Sequence, residues 1–446
     1  MAATLSAVRD PRWALAVGAN GLLLLLALLG MPLAAVALAV VMPVGGAVLI
    51  RPQRGLLLLA ALVPFDGLLI IAGLPGAVNG WKEALLLLTL IGTYVSPAEA
   101  RGPADRTRPG WAPAALALFA VAAISGLLAT GGLAAVFGLK IGFFYLLAAV
   151  AVWRCPLSEH ERDLLVTILI AVGIVTAGFG VLQQAMGHAR LAAMGWPYND
   201  TIRFTKGFVR SFSTFNQPFG FGFFVMLVIL MGTAVTLEEP NRLRSRVFIF
   251  ASPLLGLGLM STFVRGAWLG VAVGVAFLGA ARYRVLLLLI PLALVGVLFL
   301  PAEVAAPAFS SSSTEARTSG WQENVSAIFA NPTGVGLGST GAAAEKAVAR
   351  GVKTYQPDNY YFKSLYELGV VGLWLFLLLM LAVYSSVRAR VSSLQGPDAA
   401  FASGTAAMIV AAGVASLVAM YLEIFPMDFY FWLLVGVVSS FIPESS

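Results

Sequence analysis

Arg265 stands in the stretch STFVRGAWLG (261–270), between the apolar runs VFIFASPLLGLGLM and LGVAVGVAFLGA, with no acidic residue nearby in sequence. A guanidinium cannot lose its proton, so this turn carries a fixed cation wherever it lies. A second basic group, Arg203, Lys206 and Arg210, is followed by Ser213, Thr214 and Asn216 at the start of another apolar run. Guanidiniums beside a helix N-terminus make an anion site, because the backbone N–H groups and the helix dipole both favour negative charge. Two readings stand for this second stretch. Asn216 is an ordinary N-cap and the basic trio a solvated or headgroup-facing rim, or all four contact an anionic ligand. Arg317 is a further cation, at the start of TEARTSGWQENVSAIFANP. That stretch reads as an amphipathic helix with Trp321, Val325, Ile328 and Phe329 on one face, lying on a membrane or covering a cavity.

The candidate acids and turn residues follow in the same region. Asp358 and Asn359 open the segment DNYYFKSLYELGVVG after Pro357, where a polar pair faces the mouth of a bundle or simply starts a helix. GLGSTG (336–341) has the form G-x-G-x-x-G, but no strand precedes it, which excludes a dinucleotide site. Gly336 and Gly338 instead allow a tight turn close to a bound ligand. His160 and His188 are the only histidines and form no Ser/His/Asp arrangement. No His, Cys or acidic pair has metal-ligand spacing in these loops, so no metal and no cofactor are expected. Asp66, Lys82, Glu83 and Lys140 lie within apolar runs, where ionisable groups face a bundle interior or a water-filled cavity. Lys82 with Glu83, or Asp66 with Lys140, could pair; a buried structural pair and a substrate contact both fit.

The elements that must position these residues are membrane spans. The chain has 446 residues, of which 59% are hydrophobic and 11% charged, against about 25% charged in a soluble domain. Fourteen apolar runs read as candidate spans, near 13–29, 32–50, 55–73, 82–97, 111–129, 134–153, 164–182, 216–236, 247–262, 266–281, 285–301, 368–387, 400–422 and 427–442. No A-x-A-like cleavage site follows the first, so it reads as a span. The single cysteine, Cys155, excludes an internal disulfide.

With the N-terminus inside, sixteen of the 28 basic residues fall in cytoplasmic segments, while the outer links LPGAVNG, TGGL and EIFPMD carry none. This positive-inside pattern puts both termini in the cytoplasm. It also explains the net charge of +7 without nucleic acid. Two long outer loops, 183–215 and 302–367, hold nine of the remaining basic residues, and Arg265 turns on the same side. The expected organisation is N-terminal spans (1–182), a first periplasmic loop (183–215), central spans (216–301), a large periplasmic loop (302–367) and C-terminal spans (368–446). The sequons at Asn199 and Asn324 matter only in a cell that N-glycosylates.

From about residue 55 to 388 the chain resembles the O-antigen ligase and O-antigen polymerase superfamily, the WaaL- and Wzy-like proteins. RSFSTFNQPFGFG, STFVRGAWLG, EARTSGWQENVSAIFANPTGVGLGSTG and DNYYFKSLYELGVVG carry the resemblance, in family order. Val264 stands where the family usually has serine, and Asp358 where ligases usually have a histidine. The resemblance implies an all-α fold of the GT-C type and a metal-independent glycosyltransferase acting at the periplasmic face of the bacterial inner membrane. Its implied partners are the bilayer, an undecaprenyl-diphosphate-linked glycan donor, a glycan or lipid-linked acceptor, and chain-length regulator proteins. By position, Arg210 and Arg265 would grip the diphosphate, and Arg317 would contact it or the glycan. Substrate contacts would extend to Asn359, Asn216, Arg203, Lys206, Gly336, Gly338 and Lys140. Asp358 would accept the proton of the attacking hydroxyl, and its departure from the ligase pattern favours a polymerase over a ligase. A flippase for lipid-linked sugars would also use cavity arginines, but would show two related halves, and no clear internal repeat is present.

Overall fold

A backbone that crosses hydrocarbon must satisfy its own N–H and C=O groups, and the apolar runs do so as helices. The computed structural model describes residues 32–73, 76–101, 107–196, 204–205, 208–288, 325–326, 328–347 and 355–441. The expected span 13–29, most of 285–301, both sequons, Arg203, Lys206 and Arg317 lie outside the described residues. So does most of the amphipathic stretch 314–332.

The first half of the chain forms α1 (Pro32–Ile50), α2 (Pro52–Leu62), α3 (Trp81–Val95), α4 (Ala112–Ser125), α5 (Gly132–Phe143), α6 (Leu146–Arg154) and α7 (Glu159–Ala193). The second half forms α8 (Pro218–Glu238), α9 (Leu243–Ser261), α10 (Arg265–Ala281), α11 (Gly341–Ala347), α12 (Tyr360–Ser393), α13 (Gly396–Ala415) and α14 (Met427–Ser439). Among the described residues, six helices are long and apolar enough to cross a membrane, or seven if α5 and α6, bent by 50°, form one span. The protein is an all-α polytopic membrane protein. The departure from helix is a hairpin, β1 (Phe204–Thr205) antiparallel to β2 (Phe208–Val209), with Phe204 opposite Val209.

The core sits around α8, α13 and α14, whose side chains are buried almost throughout. Phe223 of α8 packs on Tyr421 at 4.9 Å, and Phe224 on Tyr430 at 5.2 Å. Large apolar side chains that face outward, such as Phe250 (86% exposed) and Leu243, suit contact with lipid.

Two ends of the bundle differ in chemistry. At one, arginines meet acids. Arg162 of α7 holds Asp398 of α13 through two N–H groups, at 3.0 and 2.8 Å. Arg244 pairs with Asp163 and with Glu239, and Arg282 with Glu238. Arg162, Arg242, Arg244 and Arg282, all assigned to the cytoplasm by charge pattern, belong to this end.

One of the core helices is short. Helix α14 has 13 residues, so it rises ~20 Å against a hydrocarbon core of ~30 Å. The linker 416–426 joins α13 to α14, with Tyr421 and Leu422 buried. EIFPMD, which reads as a surface link, is packed inside the bundle. Phe425 packs on Tyr145 at 5.4 Å, and Met427 is fully buried.

Candidate functional site

Glutamines of α7 begin the site. Gln183 Oε1 accepts from the backbone N–H of Phe212 and Ser213, and its Nε2 donates to the Ser213 carbonyl at 3.0 Å. Gln184 donates to Ser211 Oγ at 2.8 Å. These side chains supply the partners that an irregular buried backbone lacks. Held this way, the segment runs over the turn between α9 and α10. Ser211 N–H donates to the Ser261 carbonyl at 2.9 Å, and Arg210 Nε donates to the Thr262 carbonyl at 3.3 Å. The Arg210 guanidinium also lies over the Phe219 ring, 5.1 Å from its centroid.

Arg265 is the first residue of α10, three positions beyond the carbonyl that Arg210 holds, and is half-buried. The turn before it contains Phe263 at φ 53°, and the facing segment contains Ser213 at φ 52°. Both are in the left-handed region, which non-glycine residues enter only where surrounding contacts require it. A cation in the first turn of a helix opposes the dipole, at a cost of about 0.3–1 kcal/mol that an anion bound there would offset. Asn216 is exposed and is not the cap. Gln217 takes the N-cap position without a side-chain bond, and Pro218 at the next position removes one donor that would need capping.

A second group gathers where α12 starts. Asn359 is the N-cap, its Oδ1 accepting from Tyr361 N–H at 2.9 Å and Phe362 N–H at 3.1 Å. The capping role considered for Asp358 therefore belongs to its neighbour. Asp358 is exposed, at φ 44°.

One turn further lies a buried polar cluster. Lys363 Nζ meets Glu367 Oε1 at 2.8 Å, Thr340 Oγ1 at 3.0 Å and Glu423 Oε1 at 3.4 Å. Glu367 also accepts from the Thr340 backbone N–H and hydroxyl. Sequence reasoning passed over Lys363 and Glu423. The available signal was the i, i+4 spacing of Lys363 and Glu367 in a stretch otherwise poor in charge.

The loop 332–341 reaches this cluster through a break in α12 at Gly369, φ 67°. The break frees the carbonyls of Tyr366 and Glu367, which accept from Val335 and Gly336 N–H at 2.9 Å each. Gly336 and Gly338 make their close approach to the chain itself. A Cβ on Gly336 would stand 2.2 Å from Thr130 Oγ1, and one on Gly338 would stand 2.1 Å from the Ala134 carbonyl. Their positive φ and these contacts account for both glycines without a ligand. Gly338→Ala is expected to cost about 1–3 kcal/mol or more, seen as a lower unfolding midpoint in detergent. Gly142→Ala, with open space around it, should be neutral.

Lys140 pairs with Glu83 at 2.6 Å, and Lys82 with Asp66 at 2.8 Å. Both pairings considered from the sequence are thus exchanged. Adjacent residues on a helix do not face each other, so Lys82 and Glu83 diverge to different neighbours.

The linker 416–426 joins these parts. A Cβ on Gly266, next to Arg265, would touch Val418 at 3.0 Å. Tyr360 N–H donates to the Ser416 carbonyl at 2.9 Å. Lys82 Nζ lies 4.7 Å from the centroid of Phe425. Arg210 and Arg265 meet at one turn, Asp358 and Asn359 precede α12, whose first residue bonds the linker, and Lys140 pairs with Glu83. Among the described residues no three His, Cys, Asp or Glu side chains are grouped to hold a metal ion.

No curated protein matches the chain. Residues 248–377 match the Wzy_C family model, described as O-Antigen ligase. The matched interval runs from α9 through Arg265 and Asp358 to the broken helix that carries Lys363 and Glu367, and the match is consistent with the O-antigen ligase and polymerase superfamily.

Proposed function

We propose that the protein is a polysaccharide polymerase. It transfers a growing glycan from undecaprenyl diphosphate to the sugar hydroxyl of a second lipid-linked repeat unit, without a metal, at the periplasmic face of the inner membrane. The observation that carries this reading is the convergence of Arg210 and Arg265 on one turn beside a helix start. The acceptor oxygen attacks the anomeric carbon, and the bond from that carbon to the diphosphate oxygen breaks with its electron pair leaving on the diphosphate. The hydroxyl proton passes to Asp358. Guanidiniums fixed in a poorly hydrated cleft stabilise the departing charge, by several kcal/mol for a well-placed donor.

Asp358→Asn tests the base cleanly, because asparagine tolerates positive φ as aspartate does. Transfer should fall by roughly 10²–10⁴-fold with folding retained. Unchanged polymer yield would leave Asp358 with a turn-forming role alone. The family description supports a second reading, a ligase that moves a finished glycan to lipid A-core or protein. Purified protein supplied with a defined undecaprenyl-diphosphate oligosaccharide separates the two. A ladder of repeat-unit masses means a polymerase, whereas product only after adding lipid A-core means a ligase.

A further inference from the structure

The tripeptide Phe-Val-Arg occurs twice, at 208–210 on leaving β2 and at 263–265 on entering α10. In each the valine is buried, while the phenylalanine and the arginine are half-buried. Side chains alternate between faces along an extended chain, so Phe208 and Arg210 share one face and Val209 takes the other. The two copies meet. Phe208 packs on Phe263 with ring centroids 6.0 Å apart, beside the turn where Arg210 holds the Thr262 carbonyl. Phe263 packs in turn on Trp268, at 6.4 Å. The Trp268 indole N–H donates to the Leu259 carbonyl at 3.0 Å, so the half-buried ring offers its surroundings an apolar surface. Arg265, Trp268 and Leu269 stand at positions i, i+3 and i+4, on one face of α10. That face runs from a guanidinium through an indole to the exposed Leu269, which suits contact with lipid. Phe263 itself is held at φ 53°, a region that a bulky residue enters only under constraint. Glycine would make the same turn without strain. What phenylalanine adds there is its ring, which joins Phe208 to Trp268.

We propose that Phe208, Phe263 and Trp268 form a platform for the first prenyl units of the lipid diphosphate held by Arg210 and Arg265. This rests on the reading of the arginine turn as a diphosphate site. Two cations bordering an aromatic row that leads to lipid match a ligand with an anionic head and an apolar tail. In a prenyl diphosphate the first apolar carbon is bonded to the diphosphate oxygen itself, as the two residues between each ring and its arginine require. A phospholipid puts glycerol and ester groups between its phosphate and its tails, and these would fall on the rings. The platform therefore selects a prenyl diphosphate over both inorganic pyrophosphate and bulk anionic lipid.

Titration calorimetry of the purified full-length protein, with farnesyl diphosphate and inorganic pyrophosphate as probes, tests the platform without requiring turnover. The unsubstituted protein should bind farnesyl diphosphate about tenfold more tightly than pyrophosphate, or better. Phe263→Gly should remove most of that preference and leave pyrophosphate affinity unchanged. Its unfolding midpoint should barely move, because relief of the left-handed turn offsets the lost ring contacts. Phe208→Ala, at a residue without positive φ, should lower the preference by a smaller factor. A ring that only packs the turn gives the opposite pattern, a lowered midpoint with the preference intact, and that result would overturn the proposal. So would equal affinity of the unsubstituted protein for the two probes, or displacement of farnesyl diphosphate by an equal concentration of phosphatidylglycerol. Arg265→Ala should weaken both probes alike. If it does so while neither phenylalanine variant changes the preference, the platform alone falls. If it leaves pyrophosphate binding untouched, the diphosphate reading of the arginine turn falls, and the platform with it.

Discussion

Arg265→Lys should lower glycan transfer by about 10²–10³-fold while the protein still expresses and folds. The charge at the start of α10 is kept, so the helix start is unchanged. What the proposed mechanism would lose is a planar fork able to hold two diphosphate oxygens at once, which a single ammonium cannot replace. Arg210→Lys should show the same loss more mildly, because its Nε is already engaged by the Thr262 carbonyl and less of its fork faces a ligand. Chain length and initial rate on a defined lipid-linked oligosaccharide are the measurements. Near-normal polymer from the Arg265→Lys protein would remove the arginine turn from the mechanism.

The second large effect concerns stability. Lys363 is the only cation touching both Glu367 and Glu423 among the described residues, at 2.8 and 3.4 Å. Lys363→Met should destabilise the protein by about 3–5 kcal/mol, because two buried carboxylates are left facing each other. The unfolding midpoint in detergent reads this directly. Adding Glu423→Gln to Lys363→Met should recover a large part of the loss, which a simple packing defect at residue 363 would not allow.

Glu423 alone has a pH signature. Burial pushes its carboxyl up to about 6, opposed by the Lys363 charge and assisted by Glu367. A carboxyl with a raised folded pKa contributes stability that is fully present below its unfolded value and is lost as pH rises through about 6. Glu423→Gln removes the ionisable group at this position, so it should match the unsubstituted protein at pH 4.5 and exceed it at pH 7.5. A Glu423→Gln protein no more stable at pH 7.5 would mean that the carboxylate charge is better compensated than its neighbours indicate.

The helices were legible in the sequence because hydrocarbon leaves a backbone few choices. The runs 82–97, 266–281 and 427–442 appear as Trp81–Val95, Arg265–Ala281 and Met427–Ser439, within a few residues at each end. Arg265 at a turn was legible too, since a lone cation between two apolar runs has nowhere else to go. The features that depend on distant chain segments were not legible. Arg210 reaches Thr262 across 52 residues of sequence, and nothing local to either announces it. The ion pairs of Lys82 and Lys140 require knowing which helices are neighbours. Gly336 and Gly338 read as ligand contacts because positive φ looks alike in sequence whether the close neighbour is a substrate or the corner at Thr130 and Ala134. The burial of Tyr421 and Leu422 in the linker was hidden by its length, as a short link without basic residues looks the same on a surface or inside a bundle.

The shortness of α14 has a further meaning for a lipid-borne sugar. At 13 residues the helix rises ~20 Å, short of a ~30 Å hydrocarbon core, and the linker before it turns Tyr421 and Leu422 into the protein. On the polymerase reading, a polyprenyl substrate would approach the start of this short helix sideways from the bilayer, its tail staying in oil while the reacting sugar end leaves bulk solvent. Water, the commonest rival nucleophile in any cell, would then meet the anomeric carbon less often than the intended alcohol, and glycan would be joined and not spilled.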